Sequence, residues 1–238
     1  MTSISLLVSQ AIFLAGLSAP PPFAVGETLR YDAKLGYFPV GTATVSVSRR
    51  TQERGRDAYV LAMTGQGGPP GWRVSYELTS WTDSRRFNSL RFHRRLVQRG
   101  RVQEHEYVIL PDSGRYREVG VPGDWVAPAE PLDELAFLYF LRTAPLQLGR
   151  SYSYSRYFKT GYNPVQVKVA GARETVALPD GKNVASIPLE VTSRGMTMRA
   201  WLTDDTRRLP VQLEVPLPFG VVSLQLVDHQ RGSGAAGQ

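Results

Sequence analysis

At 238 residues, 42 % of them hydrophobic, the chain can bury a sizeable core without staples. The absence of cysteine excludes a disulfide framework, a thiol nucleophile, a zinc–thiolate centre and an acylated lipoprotein cysteine. Net charge is +7, carried by 24 arginines and 4 lysines, which favours anionic partners.

Residues 1–18 are uncharged, apolar from Ile4 to Leu17 and end in small residues. They read as a secretory signal peptide cleaved before Ala19, although no Lys or Arg precedes the apolar run; an uncleaved anchor is the alternative. From residue 27 onward apolar and polar residues alternate as in half-buried strands. The segments run GTATVSVSRR (41–50), YVLAM (59–63), WRVSYELTSW (72–81), SLRFHRRLVQ (89–98) and VQEHEYVIL (102–110). Arg54-Gly55, Arg99-Gly100 and Asp112-Ser113-Gly114 punctuate them as turns. GQGGPPG (65–71) fits neither glycine-rich nucleotide motif and reads as a wide turn or bulge. Residues 115–130 read as a crossing loop.

Pro131 to Arg142, PLDELAFLYFLR, is the one convincing helix. Proline and two acids open it and arginine closes it, matching the helix dipole. It is apolar all round, so it must be covered all round, and it is too short to span a bilayer. A sheet curling around it satisfies both conditions. Strands resume at 151–158, 164–170, 175–179, 184–193, 196–203, 211–215 and 221–227, with turns at Asp180-Gly181 and Arg194-Gly195. The tail, 231–238, reads as flexible. The expected organisation is a signal peptide over 1–18, one β-rich domain over 19–230 and the tail. The expected fold is all-β: a single curved antiparallel sheet, half-barrel or open barrel, enclosing a short helix at about 131–142.

Catalytic motifs are not found. His93, His105 and His229 fall on three separate strands without metal-ligand spacing, and the glutamates flanking His105 point to the opposite face. GRSYS (149–153) is not a nucleophile elbow. Asp204-Asp205 reads as a turn whose carboxylates bond local backbone. No cofactor and no metal are expected. The run at 85–101 holds seven arginines and no acid. On a strand, Arg91, His93 and Arg95 share one face, while Leu90, Phe92, Arg94 and Leu96 share the other. Arg91, Arg94, Arg95 and Arg99 form the candidate basic patch, for an anionic ligand or membrane surface, against a plain solvated face.

Three segments resemble one family. FAVGETLRYDAKLGYFPVGTATVSV (23–47), through Gly26-Glu27, Leu29, Tyr31 and Gly41, is similar to the opening of the exported bacterial proteins called domain of unknown function 3108. Pro131-Leu132-Asp133 through Leu141-Arg142 resembles that family's central helix motif, in which Ser is common where this chain has Glu134. Residues 203–226, with Asp205, Pro210 and Gly220, are similar to its closing segment. The resemblance implies an envelope protein of diderm bacteria with no assigned reaction and no catalytic residues to carry over. The pattern also looks like that of periplasmic lipoprotein carriers, a fold analogy alone.

These readings lead to a non-catalytic, exported, periplasmic protein that binds an amphipathic or lipid-like ligand between sheet and helix. Trp72, Tyr76, Trp81, Phe92, Phe137, Tyr139 and Phe140 are the candidate lining residues, against ordinary core for each. Expected partners are a lipid, other envelope proteins or an anionic membrane surface, and no nucleic acid. A structural or assembly module acting through strand edges or the basic face is the alternative, and an envelope-directed hydrolase the third.

Overall fold

The structure is a computed structural model that describes residues 20–68, 71–217 and 220–233. The proposed signal peptide lies outside these residues, as does the tail from 234 onward.

The first half of the chain forms β1 (Thr28–Leu35), β2 (Phe38–Glu53), β3 (Arg56–Gly67), β4 (Val74–Asp83), β5 (Ser89–Gln98), β6 (Arg101–Leu110), β7 (Arg115–Glu118) and β8 (Trp125–Val126). Helix α1 (Glu134–Thr143) follows. The second half forms β9 (Ser151–Tyr154), β10 (Val165–Val169), β11 (Glu174–Ala177), β12 (Asn183–Ser193), β13 (Met196–Thr203), β14 (Pro210–Leu217) and β15 (Gly220–Gln230). All the strands join one antiparallel sheet in the order β8-β7-β6-β5-β4-β3-β2-β1-β15-β14-β13-β12-β10-β9, with β11 beside β12. The sheet curls but stays open, with β8 and β9 at its two ends. The chain between those ends carries α1 inside the curve. The all-β class, single curved sheet and enclosed helix therefore match the expectation.

Local chemistry sets the hairpins. Arg54-Gly55, Arg99-Gly100 and Arg194-Gly195 each take positive φ at both positions, the paired left-handed geometry that matches strand twist. A second use of glycine is close approach. A Cβ on Gly41 would collide with the Gln66 carbonyl of β3 and stand 2.7 Å from Gly67 Cα. Gly41→Val is expected to lower stability by about 1–3 kcal/mol, read from a urea midpoint. An unchanged midpoint would mean that β2 and β3 do not need this approach.

Two expectations change. Residues 115–130 are not only a loop, because Arg115–Glu118 pairs with β6 and Trp125–Val126 pairs with β7. The helix starts at Glu134 rather than Pro131. Leu132 forms a parallel bridge with Tyr157, and Asp133 becomes the N-cap, its side chain accepting from the Leu135 and Ala136 amides. Asp133 is fully buried, and Ser80 and Ser89 both donate to it, at 2.6 and 2.7 Å. At the other end Arg142 makes a two-pronged buried pair with Glu27, at 2.6 and 2.9 Å. The helix is thus tied to the sheet by hydrogen bonds at its start and by a buried ion pair at its end.

Candidate functional site: an open cup over the helix

An antiparallel meander sends alternate hairpins to opposite ends. Register puts the β1–β2, β3–β4, β5–β6, β12–β13 and β14–β15 connections at one end, called here the mouth, and the β7–β8 and β9–β10 connections at the sheet's two edges turn toward the same end. The inner face loosens toward it on strand after strand. Leu61 is buried and Met63 half-buried; Leu78 is buried and Tyr76 half-buried. Phe92 is buried, Arg94 and Leu96 half-buried; Tyr107 is buried, His105 half-buried and Gln103 exposed. Leu189 gives way to half-buried Val191, and Ala200 to exposed Met198. The helix fills the closed half, so the mouth half is a cup. Glu134 and Leu138, one turn apart on one face of α1, stay half-buried and form its floor. The helix is therefore not covered all round; Leu138 and Phe140 remain partly exposed.

Ionic groups gather on this otherwise apolar inner wall. Arg94 sits 5.7 Å from the Tyr76 ring. Lys159 donates to the Tyr107 hydroxyl at 2.8 Å, and His105 Nδ1 lies 2.6 Å from Glu118. Burial lowers the Lys159 pKa, and the Glu134 carboxylate works against that drop. Burial, reinforced by Glu134, holds the Tyr157 hydroxyl well above its ordinary value and pushes Tyr76 up to about 12. Arg94 Nε and Glu134 Oε2 are buried without a hydrogen-bond partner. Such orphaned polar atoms are costly and call for an explanation. At the rim, Arg99 lies 3.7 Å over the Trp72 ring, and a cavity of about 420 Å³ opens among Trp72, Gln98, Arg99, Arg101 and Gln103. A second cavity, about 520 Å³, lies at the closed end beside Phe23, Glu27, Arg207 and His229. Among the described residues no three of His, Asp and Glu gather as a metal site.

The structure scatters the sequence-derived candidates. Of the lining residues, Tyr76 is in the cup wall and Trp72 at the rim. Trp81 is on the outer face beneath Arg91, at 4.5 Å. Phe92, Phe137 and Tyr139 are packed core. Phe140 is wedged between the Tyr154 ring, at 5.1 Å, and Arg156, at 4.6 Å. The basic residues do not share a patch. Arg91 and Arg95 lie outside and are matched by Glu106 (2.6 Å) and Glu77 (3.6 Å), with His93 on Glu104 (2.8 Å) between them. Arg94 points inward and Arg99 sits on a hairpin tip. Asp205 does what its turn context suggests, accepting from Thr203 Oγ1 and from the amides of Arg207 and Arg208.

Glu134, Leu138, His105, Glu118, Tyr157 and Lys159 were not singled out for the site from sequence. The signal for Arg94 was present, since strand parity puts it on the core face with Phe92. Strand parity likewise puts His105 on the face of Tyr107, and helical spacing pairs Glu134 with Leu138; for Glu118, Tyr157 and Lys159 no signal exists, because β7 and the 157–159 segment reach the cup only through long-range folding.

The family model described as protein of unknown function, DUF3108, matches residues 30–227. The chain belongs to this family. No curated protein matches. A beta-barrel-like protein of domain of unknown function DUF1849 from Brucella abortus superimposes with a TM-score of 0.59 at 11 % identity, covering 89 % of this chain and 99 % of that one. A putative exported protein with YmcC-like fold from Bacteroides fragilis covers 88 % of this chain and 98 % of its own, at 11 % identity and a TM-score of 0.30. The barrel-like neighbour is similar in fold; neither it nor the family brings a catalytic assignment.

Proposed function

We propose that this DUF3108 protein is a non-catalytic, exported envelope protein that binds an amphipathic, lipid-like ligand in the cup. The observation that carries the reading is the pair of buried polar atoms without a hydrogen-bond partner, Arg94 Nε and Glu134 Oε2, on a half-exposed inner wall that sets Met63, Tyr76, Leu96 and Leu138 beside Lys159, His105 and Glu118. A binding site of this type combines an apolar surface with a few placed polar groups. The apolar part of the ligand lies along Met63, Tyr76, Leu96 and Leu138. Its polar head takes hydrogen bonds from Arg94 and Lys159. The aromatic core around Phe92, Phe137 and Tyr139 is scaffold and not lining.

The protein, expressed with its leader and purified without detergent, is expected to carry a lipid adduct in native mass spectrometry. Arg94→Ala should weaken binding of a fluorescent fatty-acid analogue by about tenfold, the cost of losing a hydrogen bond to a charged group. Leu138→Glu, which puts charge on the floor, should abolish it. A clean apo mass together with no analogue binding by the wild-type protein would overturn the reading and favour an envelope-assembly module.

A further inference from the structure

Five hairpins meet at the mouth, and they share an unusual composition. Their segments (34–40, 71–74, 97–103, 192–197 and 215–217 with 220–221) hold Lys34, Arg73, Arg99, Arg101 and Arg194 and no acid. The four arginines are exposed. Beside them stand bare apolar side chains: Tyr37 is 98 % exposed, Phe38 76 %, Met196 58 %, Val102 54 % and Val221 53 %. The hairpins at the closed end (54–55, 84–88, 111–114, 180–182 and 204–208) hold none of the large hydrophobic residues that stand exposed. Those hairpins also mix Asp112, Asp180, Asp204 and Asp205 with their arginines. Across the central strands the two ends thus differ in both apolarity and charge; the short edge hairpin β7–β8, with Glu118 and Asp124, opens toward the mouth from the level of Glu106.

A scattered exposed hydrophobe needs no explanation, but a set gathered on loops from four of the five hairpins does. The occupant must accept apolar side chains from several separate tips at once, and it must be anionic. A bilayer surface with acidic headgroups meets both demands. Aromatic and aliphatic tips enter the boundary between headgroup and acyl chain, and arginines meet phosphate. A folded partner would instead need a shaped, acidic groove for each tip. The rim cavity adds a seat. It is lined by Trp72, Gln98, Arg99, Arg101 and Gln103, residue types that offer a donor-rich set suited to phosphate oxygens.

We propose that the mouth end docks on an anionic lipid bilayer, with the hairpin tips in the headgroup layer and a lipid phosphate in the Trp72–Arg99–Arg101 cavity. Docking in this pose turns the open cup toward the membrane. It does not require the cup to hold a ligand, so it stands or falls separately from the binding function above.

The test is co-sedimentation of the purified protein with vesicles of phosphatidylglycerol and phosphatidylethanolamine, compared with phosphatidylcholine alone. Binding to the anionic vesicles is expected to be at least about tenfold tighter, and to weaken as salt is raised. Tyr37→Ser with Phe38→Ser, and separately Arg99→Glu with Arg101→Glu, should each reduce it by at least about fivefold. Arg85→Glu with Arg86→Glu, on the closed end, should leave it unchanged. Circular dichroism and the urea midpoint establish that each variant is folded. Trp72 fluorescence should shift to the blue on docking. Equal binding to both vesicle types would overturn the proposal, as would an equal loss from the closed-end variant. So would self-association that the Tyr37/Phe38 variant abolishes while vesicle binding is absent.

Discussion

Replacing Arg142 with Ala is expected to destabilise the protein by about 3–5 kcal/mol, read as a large fall in the urea midpoint with little change in slope. Arg142 is the last charged residue of α1, and it is buried. Both terminal nitrogens donate to the Glu27 carboxylate, at 2.6 and 2.9 Å. Nη2 also donates to the carbonyls of Pro22 and Arg207, at 3.1 and 3.2 Å. The guanidinium lies 5.5 Å from the Phe23 ring and 5.2 Å from the Tyr139 ring. Truncation would leave the Glu27 carboxyl buried without the guanidinium, with only His229 Nε2 near it at 3.5 Å, which costs far more than the pair itself contributes. The same logic predicts partial recovery in the double variant, Arg142→Leu with Glu27→Leu. An apolar pair in that space removes both desolvation penalties, so the two changes should be strongly non-additive. If Arg142→Ala shifts the midpoint no more than an ordinary surface change, about 0.5 kcal/mol, the helix is not anchored through this pair.

That anchor also explains why the recognisable sequence segments were recognisable. Glu27 belongs to the first family-like segment and Arg142 to the second, and they meet 115 residues apart. Tyr31, from the first, donates its buried hydroxyl to the carbonyl of Pro210, from the third, at 2.8 Å. Asp205 closes the turn that leads to Pro210. Glu27, Tyr31, Arg142, Asp205 and Pro210 record how the closed end is assembled, while Gly41 and Gly220 serve strand approach and turning nearer the mouth. The strands were legible because each has one buried face, and the Arg-Gly turns because their chemistry is local. β7 escaped notice because RYRE is four residues with three charges, and β8 because two residues hold no period. The mouth could not be read at all. Each hairpin tip looks like any exposed turn, and only the register shows that five of them stand side by side with no acid among them.

The N-cap of α1 gives a second large effect, through pH. Desolvation raises the Asp133 pKa from 3.8 to about 6, against hydrogen bonds from the Ala136 amide, Ser80 and Ser89 that favour the charged form. The folded state therefore holds this proton more tightly than the unfolded chain does. Stability from the group is fully present below about pH 4 and is lost as pH rises through about 6, a total of about 3 kcal/mol. This runs opposite to the usual carboxylate, whose pairing is lost in acid. Asp133→Asn isolates it, because the amide keeps a cap acceptor and carries no titrating proton. The difference in unfolding free energy between the variant and the wild-type protein should move in favour of the variant between pH 4 and pH 6, by up to about 3 kcal/mol, and stay level above pH 7. A difference that is flat across that range would mean that Asp133 remains ionised in the fold. The serine hydroxyls would then outweigh burial, and the helix would begin on a buried charge at every pH the protein meets.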